Sequence, residues 1–334
     1  METNQLIIDL AAVLAASAPL IIATMGETIS ERVGVVNLSL DGTMLLAAMT
    51  GFAIGLTTGS VIWGFVAAAL IGTLVALVLC YMSLSLSLSQ TAVGFVLTLL
   101  CTDLSSFLGN PYVRKPGPSV SFMPIPGLAD LPILGKLLFS HDLVIYASFL
   151  LIPLTWWFLF RTRPGLTLRA LGERPEAAYA RGVNVTLLRF LYVMLGGALV
   201  GIAGAAYSLD LKQGWSYRHT FGTGWIALAI VIFGGWSPWR VALGCYLFGI
   251  LQTLASRWQS SPPGLLSGIP TQIYQVAPFA LMIFVLALVN GASNPGLVRR
   301  IAALPDTVRR PLQWLIGRLS AAAPAALGTP FKRP

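Results

Sequence analysis

The sequence predicts an all-α integral membrane protein, a polytopic bundle of about 8–10 transmembrane helices, some of them broken or re-entrant. Hydrophobic residues make up 56% of the 334 residues, charged residues only 10%, and the mean hydropathy is +0.79. A soluble domain carries roughly a quarter charged residues. Because apolar runs extend from Leu6 to Val289 without a long polar interruption, we interpret residues 1–290 as one transmembrane domain.

A transmembrane helix needs ~20 mostly apolar residues. Windows of this kind lie at residues 6–25, 38–57, 60–81, 91–109, 142–160, 188–209, 225–235, 241–257 and 271–289. The seventh is the shortest, and it is either a short span or a re-entrant segment. Between the fourth and fifth windows, residues 110–141 form a proline-rich segment that we expect to be an external loop, since proline interrupts helices.

Basic residues are concentrated in two places and predict the orientation of the bundle. Of the 21 Lys and Arg residues, six lie in residues 161–189 and seven follow Asn290. Excess positive charge beside spans marks the cytoplasmic side, so we expect both segments to be cytoplasmic. We therefore interpret the net charge of +9 as a consequence of membrane topology and not as a sign of a nucleic-acid partner. The tail, residues 291–334, is expected to be partly disordered, including its last residues, "GTPFKRP".

Signals for catalysis are weak. The sequence contains no G-x-x-x-x-G-K-[ST] phosphate loop and no G-x-S-x-G motif. Its three Cys residues fall inside apolar runs, where they indicate packing and not closely spaced metal ligands. We therefore expect no catalytic residue, no bound metal and no cofactor. The glycine-rich stretch "GGALVGIAGAA" at residues 196–206 indicates close packing of helices through small residues.

Acidic residues at membrane depth indicate a transport pathway. Asp41 and Asp103 fall within apolar windows, and an ionisable side chain there costs ~2.5–3.5 kcal/mol, so such residues usually face a polar cavity. Alternatively, each lies near enough to a membrane edge to reach water or to cap a helix. Asp41 is the second-last residue of "GETISERVGVVNLSLDG", residues 26–42. We expect this stretch, which includes Asn37 and Ser39, to be irregular backbone that lines the pathway.

A second unusual stretch is "SLSLSLSQ", residues 83–90. Its alternation of apolar and polar residues is typical of a strand. Since an open strand cannot face lipid, this stretch is either a cytoplasmic connection or an extended segment packed within protein near the pathway.

The stretch "LGERPEAAYARGVNV", residues 171–185, reads as a short helix over 175–181. Proline suits its first position, acidic residues lie near its positive end, and an arginine lies near its negative end before a glycine stops it. Seven residues form a marginal helix in water, so we expect this helix to dock on a partner through its small alanines. The alternative is a solvated turn whose arginines only fix topology. The candidate docking residues are Glu173, Arg174, Pro175, Glu176, Ala177, Ala178, Arg181 and Gly182.

Three stretches, in this order, resemble the integral permeases of bacterial ATP-binding-cassette importers, in the branch for simple sugars, nucleosides and branched-chain amino acids. They are "SERVGVVNLSLDGTMLLAA", "RALGERPEAAYARGVNV" and "GTGWIALAIVIFGGWSPW". The first is similar to a signature of the nucleoside and simple-sugar members, the second to their cytoplasmic coupling segment. Two residues depart from the pattern: Asp41 stands where relatives commonly carry Glu, and Ser39 where they commonly carry Gly, so the substrate is left open.

The resemblance implies a permease without its own ATP site that carries a small polar solute, either a nucleoside or purine or a simple sugar. Its implied partners are cytoplasmic ATPase subunits, a second permease subunit, an external substrate-binding protein and membrane lipid. The charged segment would then seat in a groove on the ATPase. Three alternatives remain: a branched-chain amino acid permease, an ion-coupled secondary transporter using Asp41 or Asp103, and, more distantly, a membrane enzyme or scaffold.

Overall fold

The computed structural model describes residues 2–131, 133–220, 222–260, 270, 273, 276, 277, 279, 280, 283, 284, 323–329 and 331. Within these residues the secondary structure is helical, apart from one isolated bridge between Phe122 and Asp142. The all-α prediction is therefore confirmed. The α-helices are α1 (Glu2–Arg32), α2 (Leu40–Thr58), α3 (Val61–Cys80), α4 (Gln90–Gly109), α5 (Leu143–Arg161), α6 (Arg163–Glu173), α7 (Pro175–Ala180), α8 (Val185–Ala206), α9 (Thr223–Phe233) and α10 (Pro238–Ser260).

Six helices of the described part are long and apolar enough to cross a membrane, and they match the first six predicted windows. They make the chain a multi-pass membrane protein. The seventh window corresponds to α9, which has only 11 residues. The eighth lies within α10, whose 23 residues give a length of ~34 Å, enough to cross the hydrocarbon core. Most of the ninth window lies outside the described residues, so the total number of spans stays a prediction.

The centre of the bundle is held together by backbone contacts at glycines of α8. A Cβ at Gly197 would lie 2.5 Å from the carbonyl oxygen of Gly72 on α3, and one at Gly204 would lie 2.5 Å from that of Met44 on α2. Gly196 meets Gly26 of α1 in the same way, at 2.6 Å. Small residues let membrane helices approach this closely. The prediction for residues 196–206 is confirmed.

The expectation that residues 26–42 are irregular is correct only for residues 33–39. Helix α1 continues to Arg32 and α2 begins at Leu40, so Glu27 and Glu31 are helical. The helix continues because these side chains find partners inside the protein: Glu27 accepts a hydrogen bond from the Asn37 backbone N–H, and Glu31 accepts one from the Trp236 indole. A buried polar side chain that is hydrogen-bonded in this way does not disrupt the helix.

The alternating stretch at residues 83–90 does not form a strand. A π-helical turn, Tyr81–Ser85, extends α3, and α4 begins at Gln90. Residues 86–89 form a short exposed connection in which Ser87 has a positive φ of 56°. In the described part of the chain there is no neighbouring strand, so a strand at residues 83–90 would have no partner for its backbone hydrogen bonds.

The bundle has two distinct ends. One, which we call the basic end, contains the C-terminus of α1 together with α6 and α7, where Arg32 and Arg169 both lie over the Phe160 ring. At the other, which we call the loop end, the proline-rich segment after α4 folds back over the helices. There the Val120 backbone N–H donates to the Leu209 carbonyl at 3.0 Å.

Candidate transport pathway and coupling site

Residues 33–39 run beside α4 before α2 begins. The Val36 backbone N–H donates to the side chain of Gln90, the first residue of α4, at 2.9 Å. Further along, the Thr98 hydroxyl donates to the Leu38 carbonyl at 2.7 Å. Eight residues of helix separate Gln90 from Thr98, a rise of ~12 Å. The segment therefore reaches well into the bundle from the basic end, and side chains of α4 satisfy its irregular backbone.

Asn37 and Ser39 are buried near the end of this segment, just before α2 begins. The Asn37 side-chain oxygen accepts hydrogen bonds from the Ser39 backbone N–H at 3.1 Å and from the Ser39 hydroxyl at 2.5 Å. The Asn37 backbone N–H donates to Glu27 of α1 at 3.3 Å. The two predicted pathway residues thus form one hydrogen-bonded unit that ties the segment to α1.

Asp41 is buried in the first turn of α2 and contacts the start of α9. One carboxylate oxygen accepts a hydrogen bond from the Gly224 backbone N–H at 2.9 Å, and a Cβ at Gly224 would overlap the Asp41 backbone. The N-terminus of a helix carries partial positive charge and unpaired N–H groups, so it favours an anionic partner. Asp41 therefore joins α2 to the short helix α9 inside the bundle.

Sequence reasoning left Glu27 and Glu31 out of the candidate site. Both are fully or almost fully buried on one face of α1, where their spacing of four residues places them one turn apart. The second oxygens of Glu27 and Asp41 have no hydrogen-bond partner among the described residues. The signal available in the sequence was this spacing of two acids inside an apolar helix. We call Glu27, Asn37, Ser39, Asp41 and Gly224 the polar junction.

Asp103 does not belong to the polar junction. It lies on the exposed face of α4, whereas Thr98 and Ser105 on the opposite face contact the backbone of residues 38 and 45. Its neighbours on the exposed face, Leu99 and Phe107, are 66% and 78% exposed. The structure therefore separates the two predicted acidic pathway residues.

The short helix of the coupling segment is confirmed as α7, Pro175–Ala180, with proline at its first position. Gly182 follows with φ of 81°, the left-handed conformation that commonly ends helices. The predicted end at Arg181 differs by one residue, because Arg181 already has non-helical dihedrals. The docking role of this helix stays a prediction.

The expectation that both alanines of α7 offer a surface to a partner needs correction. Ala177 is exposed, but Ala178 is only 6% exposed and belongs to the hydrophobic core of the chain. The two side chains point apart because successive residues on a helix are ~100° apart. An open cavity of about 280 Å³ lies beside them, lined by Ala170, Glu173, Arg174, Ala177, Ala178 and Arg181. Pro175 is buried like Ala178, and Glu176 is exposed.

In the described part of the chain, no group of three or more His, Cys, Asp or Glu residues could hold a metal ion. Cys80, Cys101 and Cys245 are all free and buried. The polar junction offers carboxylate, amide and hydroxyl groups at membrane depth, which suit hydrogen bonding to a polar solute.

Comparison with known proteins bears on both regions. A sequence profile described as "Branched-chain amino acid transport system / permease component" matches residues 10–286. A putative glucose ABC transporter permease, TsgC13 of Haloferax volcanii, is 41% identical over 75% of this chain and 77% of its own length. The nucleoside ABC transporter permease NupC of Lactococcus lactis is 33% identical over 86% of this chain and 94% of its own.

A second permease of the same Lactococcus strain, NupB, matches only 37% of this chain and 33% of its own length, at 29% identity. No solved structure matches. The profile covers most of the chain, and the matched residues include the polar junction, α7 and the membrane helices from residue 10 onward. The chain therefore belongs to the family of ABC transporter permeases described as the branched-chain amino acid transport system permease component.

Proposed function

We propose that this chain forms the translocation pathway of an ATP-driven importer for a nucleoside or purine or a simple sugar. The observation that carries the proposal is the polar junction, where Asp41 and Glu27 each have one oxygen without a partner among the described residues. Carboxylates only accept hydrogen bonds, and ribose and hexose hydroxyls are donors. The solutes named for two relatives, glucose for the putative permease TsgC13 and nucleosides for NupC, agree with such a solute.

The pathway opens, on this proposal, when α9 moves away from α2. The Asp41–Gly224 hydrogen bond then breaks, and the carboxylate, Asn37 and Ser39 become available to the solute. Asp103 is proposed as a separate pathway residue, on the face of α4 that meets a second permease. A charged side chain at this depth is costly against lipid, and a pathway between two subunits supplies water or a polar partner.

ATP hydrolysis is proposed to take place on separate cytoplasmic ATPase subunits that bind α7 and the cavity beside it. The basic end, the tail and the C-terminus are then cytoplasmic, the loop end faces an external binding protein, and the membrane is the bacterial inner membrane. Single cysteines in a Cys-free variant test the orientation. Position 176 is expected to be labelled only from the cytoplasm and position 120 only from outside, and the reverse result would refute this orientation.

The second permease is proposed to be a different polypeptide. NupC and NupB are both nucleoside ABC transporter permeases of one strain, and this chain matches nearly all of NupC but only a third of NupB. A pair of one NupC-like and one NupB-like chain accounts for this difference. Two differently tagged copies of this chain, produced in the same cells, are therefore expected not to co-purify. Their co-purification would show a homodimer.

Transport itself is tested with the complete complex in lipid vesicles. The chain is produced with a phosphate-loop ATPase, a second permease and a binding protein of its own organism, and uptake of labelled adenosine, guanosine, ribose, glucose and leucine is measured. ATP-dependent uptake of a nucleoside or sugar is expected, with little uptake of leucine. ATP-dependent leucine uptake would favour the amino acid alternative. Uptake driven by a proton or sodium gradient without the ATPase would favour a secondary transporter.

A further inference from the structure

The C-terminal residues 323–329 and Phe331, which we call the C-terminal strap, lie across the basic end. The Ala326 backbone N–H donates to the Gly172 carbonyl of α6 at 2.8 Å, and the Gly328 backbone N–H donates to the Gly34 carbonyl at 3.1 Å. The Phe331 ring lies 5.7 Å from the Tyr179 ring of α7. Gly328 belongs to the last seven residues, which the sequence led us to expect as disordered. Here it is held by the loop that follows α1.

Arg189 of α8 fastens this strap from inside the protein. Its side chain is fully buried, and its guanidinium donates to the Thr329 carbonyl at 3.2 Å and to the Leu171 carbonyl at 3.1 Å. Burying a cation is costly unless its hydrogen bonds are made. Because the guanidinium is planar and its donors are fixed in direction, two such bonds hold the strap and the end of α6 at a defined separation.

The strap contacts the loop after α1 at Gly34, only three residues before Asn37 of the polar junction. Gly34 has φ of 95°, and a Cβ there would lie 2.9 Å from the Arg189 guanidinium and 3.1 Å from the Ala326 carbonyl. Three residues further on is Asn37, which is bonded to Glu27. A displacement of the strap therefore acts on the segment that carries Asn37, Ser39 and Asp41.

We propose that the C-terminal strap and Arg189 transmit the movement of the coupling helix to the polar junction. The mechanical path runs from Tyr179 of α7 through Phe331 and Gly328 to Gly34. Arg189 is a positioning residue in this path, since it holds the strap and does not contact the solute. The inference rests on the proposed ATPase-coupled function, and it assigns to the end of the chain a part in coupling that α7 does not perform alone.

The main test compares two truncations of the complete complex in lipid. One removes residues 323–334 and the other removes only 332–334, which lie beyond the strap. ATP hydrolysis is measured with and without the substrate-loaded binding protein, together with uptake and the yield of assembled complex. The longer truncation is expected to keep basal hydrolysis but lose stimulation by about fivefold or more, whereas the shorter one is expected to behave like the wild type.

Point variants keep the test decisive if the long truncation fails to assemble. Gly328→Val strains a backbone at φ of 75°. Its control Gly59→Val imposes the same strain at φ of 68° in the turn between α2 and α3, where no described residue comes within 4 Å of an added Cβ. Of these two variants, only Gly328→Val is expected to reduce stimulation. Phe331→Ala and Tyr179→Ala should also reduce it, and the double variant should lose no more than either single variant, because both break the same ring contact.

Arg189→Lys keeps the positive charge but cannot hold two carbonyls in a fixed plane, so it is expected to uncouple hydrolysis from uptake while the complex assembles. Stimulation within about twofold of wild type in the long truncation or in Gly328→Val would overturn the proposal. Equal loss of basal and stimulated hydrolysis in every assembled variant would also overturn it, as a purely structural effect. Failure of the proposed function is distinct, since the wild-type complex would then show no stimulated hydrolysis at all.

Discussion

Helix α7 and the polar junction differ in how far apart along the chain their hydrogen-bonded residues lie. Around α7, the Gly182 N–H donates to the Tyr179 carbonyl at 2.8 Å, and the Val183 N–H donates to the Ala178 carbonyl at 3.2 Å. At the polar junction, the bond from Gly224 to Asp41 joins residues 183 positions apart. A locally bonded helix can move as a rigid unit. On the proposed function, the junction opens only when whole elements separate, so it is the part that a moving helix has to act upon.

The largest effect is expected at the polar junction. Asp41→Ala leaves the buried Gly224 N–H without an acceptor, at a cost of about 1–3 kcal/mol, and should abolish uptake. Asp41→Asn keeps an acceptor oxygen of the same shape and should retain part of the uptake. The measurement is ATP-dependent uptake in vesicles, with assembly checked by co-purification of the ATPase. Full uptake by Asp41→Ala would mean that the junction has no part in transport.

An intermediate effect is expected at the coupling segment. Ala177→Trp places a bulky ring on the exposed face of α7 and should reduce binding-protein-stimulated hydrolysis by about tenfold. Ala12→Trp is the matched control, since Ala12 is also exposed but lies 20 residues from the basic end of α1. Ala178→Trp should instead reduce the yield of folded protein, because Ala178 is buried. Normal stimulation in Ala177→Trp would support the solvated-turn alternative.

The smallest effect is expected at Asp103. Asp103→Leu removes a charge from an exposed face of α4 without disturbing the buried contacts of Thr98 and Ser105, so the protein should fold normally. Uptake should fall by about fivefold if the side chain lines a pathway between two permeases, and Asp103→Glu should restore most of it. Unchanged uptake by Asp103→Leu would remove Asp103 from the pathway and confine the functional acids to the polar junction.

Much of the fold could be predicted from the sequence because membrane spans follow from apolar length alone. The six long spans fall in the first six predicted windows. The same holds for α7, whose proline, acidic start and terminal glycine are local signals. The extent of α1 was missed, since the polar run at residues 26–32 reads as a break unless its partners are known. Glu27 is helical because Asn37, ten residues later, folds back to it.

The sequence was enough to name several residues of the candidate site, but not to say which residues from other helices meet them. Asn37, Ser39 and Asp41 are adjacent in sequence, so their proximity was expected. The groups that hold them come from two other helices: Gly224 of α9 bonds Asp41, and Gln90 and Thr98 of α4 bond the neighbouring backbone of residues 36 and 38. No local pattern marks these partners. The pathway set was also expected to include Asp103, whose position on the opposite face of α4 depends on which side of that helix packs against α2.

The sequence by itself determined that this chain is a multi-pass membrane protein with a short charged helix between two spans, because apolar length, charge distribution and helix-capping residues act locally. The tertiary structure alone decided that α9 begins against Asp41, that Ala178 faces inward, and that the C-terminal strap is hydrogen-bonded to Gly34 at the basic end. Each of these contacts joins segments distant along the chain, and their meeting depends on how glycine faces pack within the bundle. That packing is a property of all the helices together.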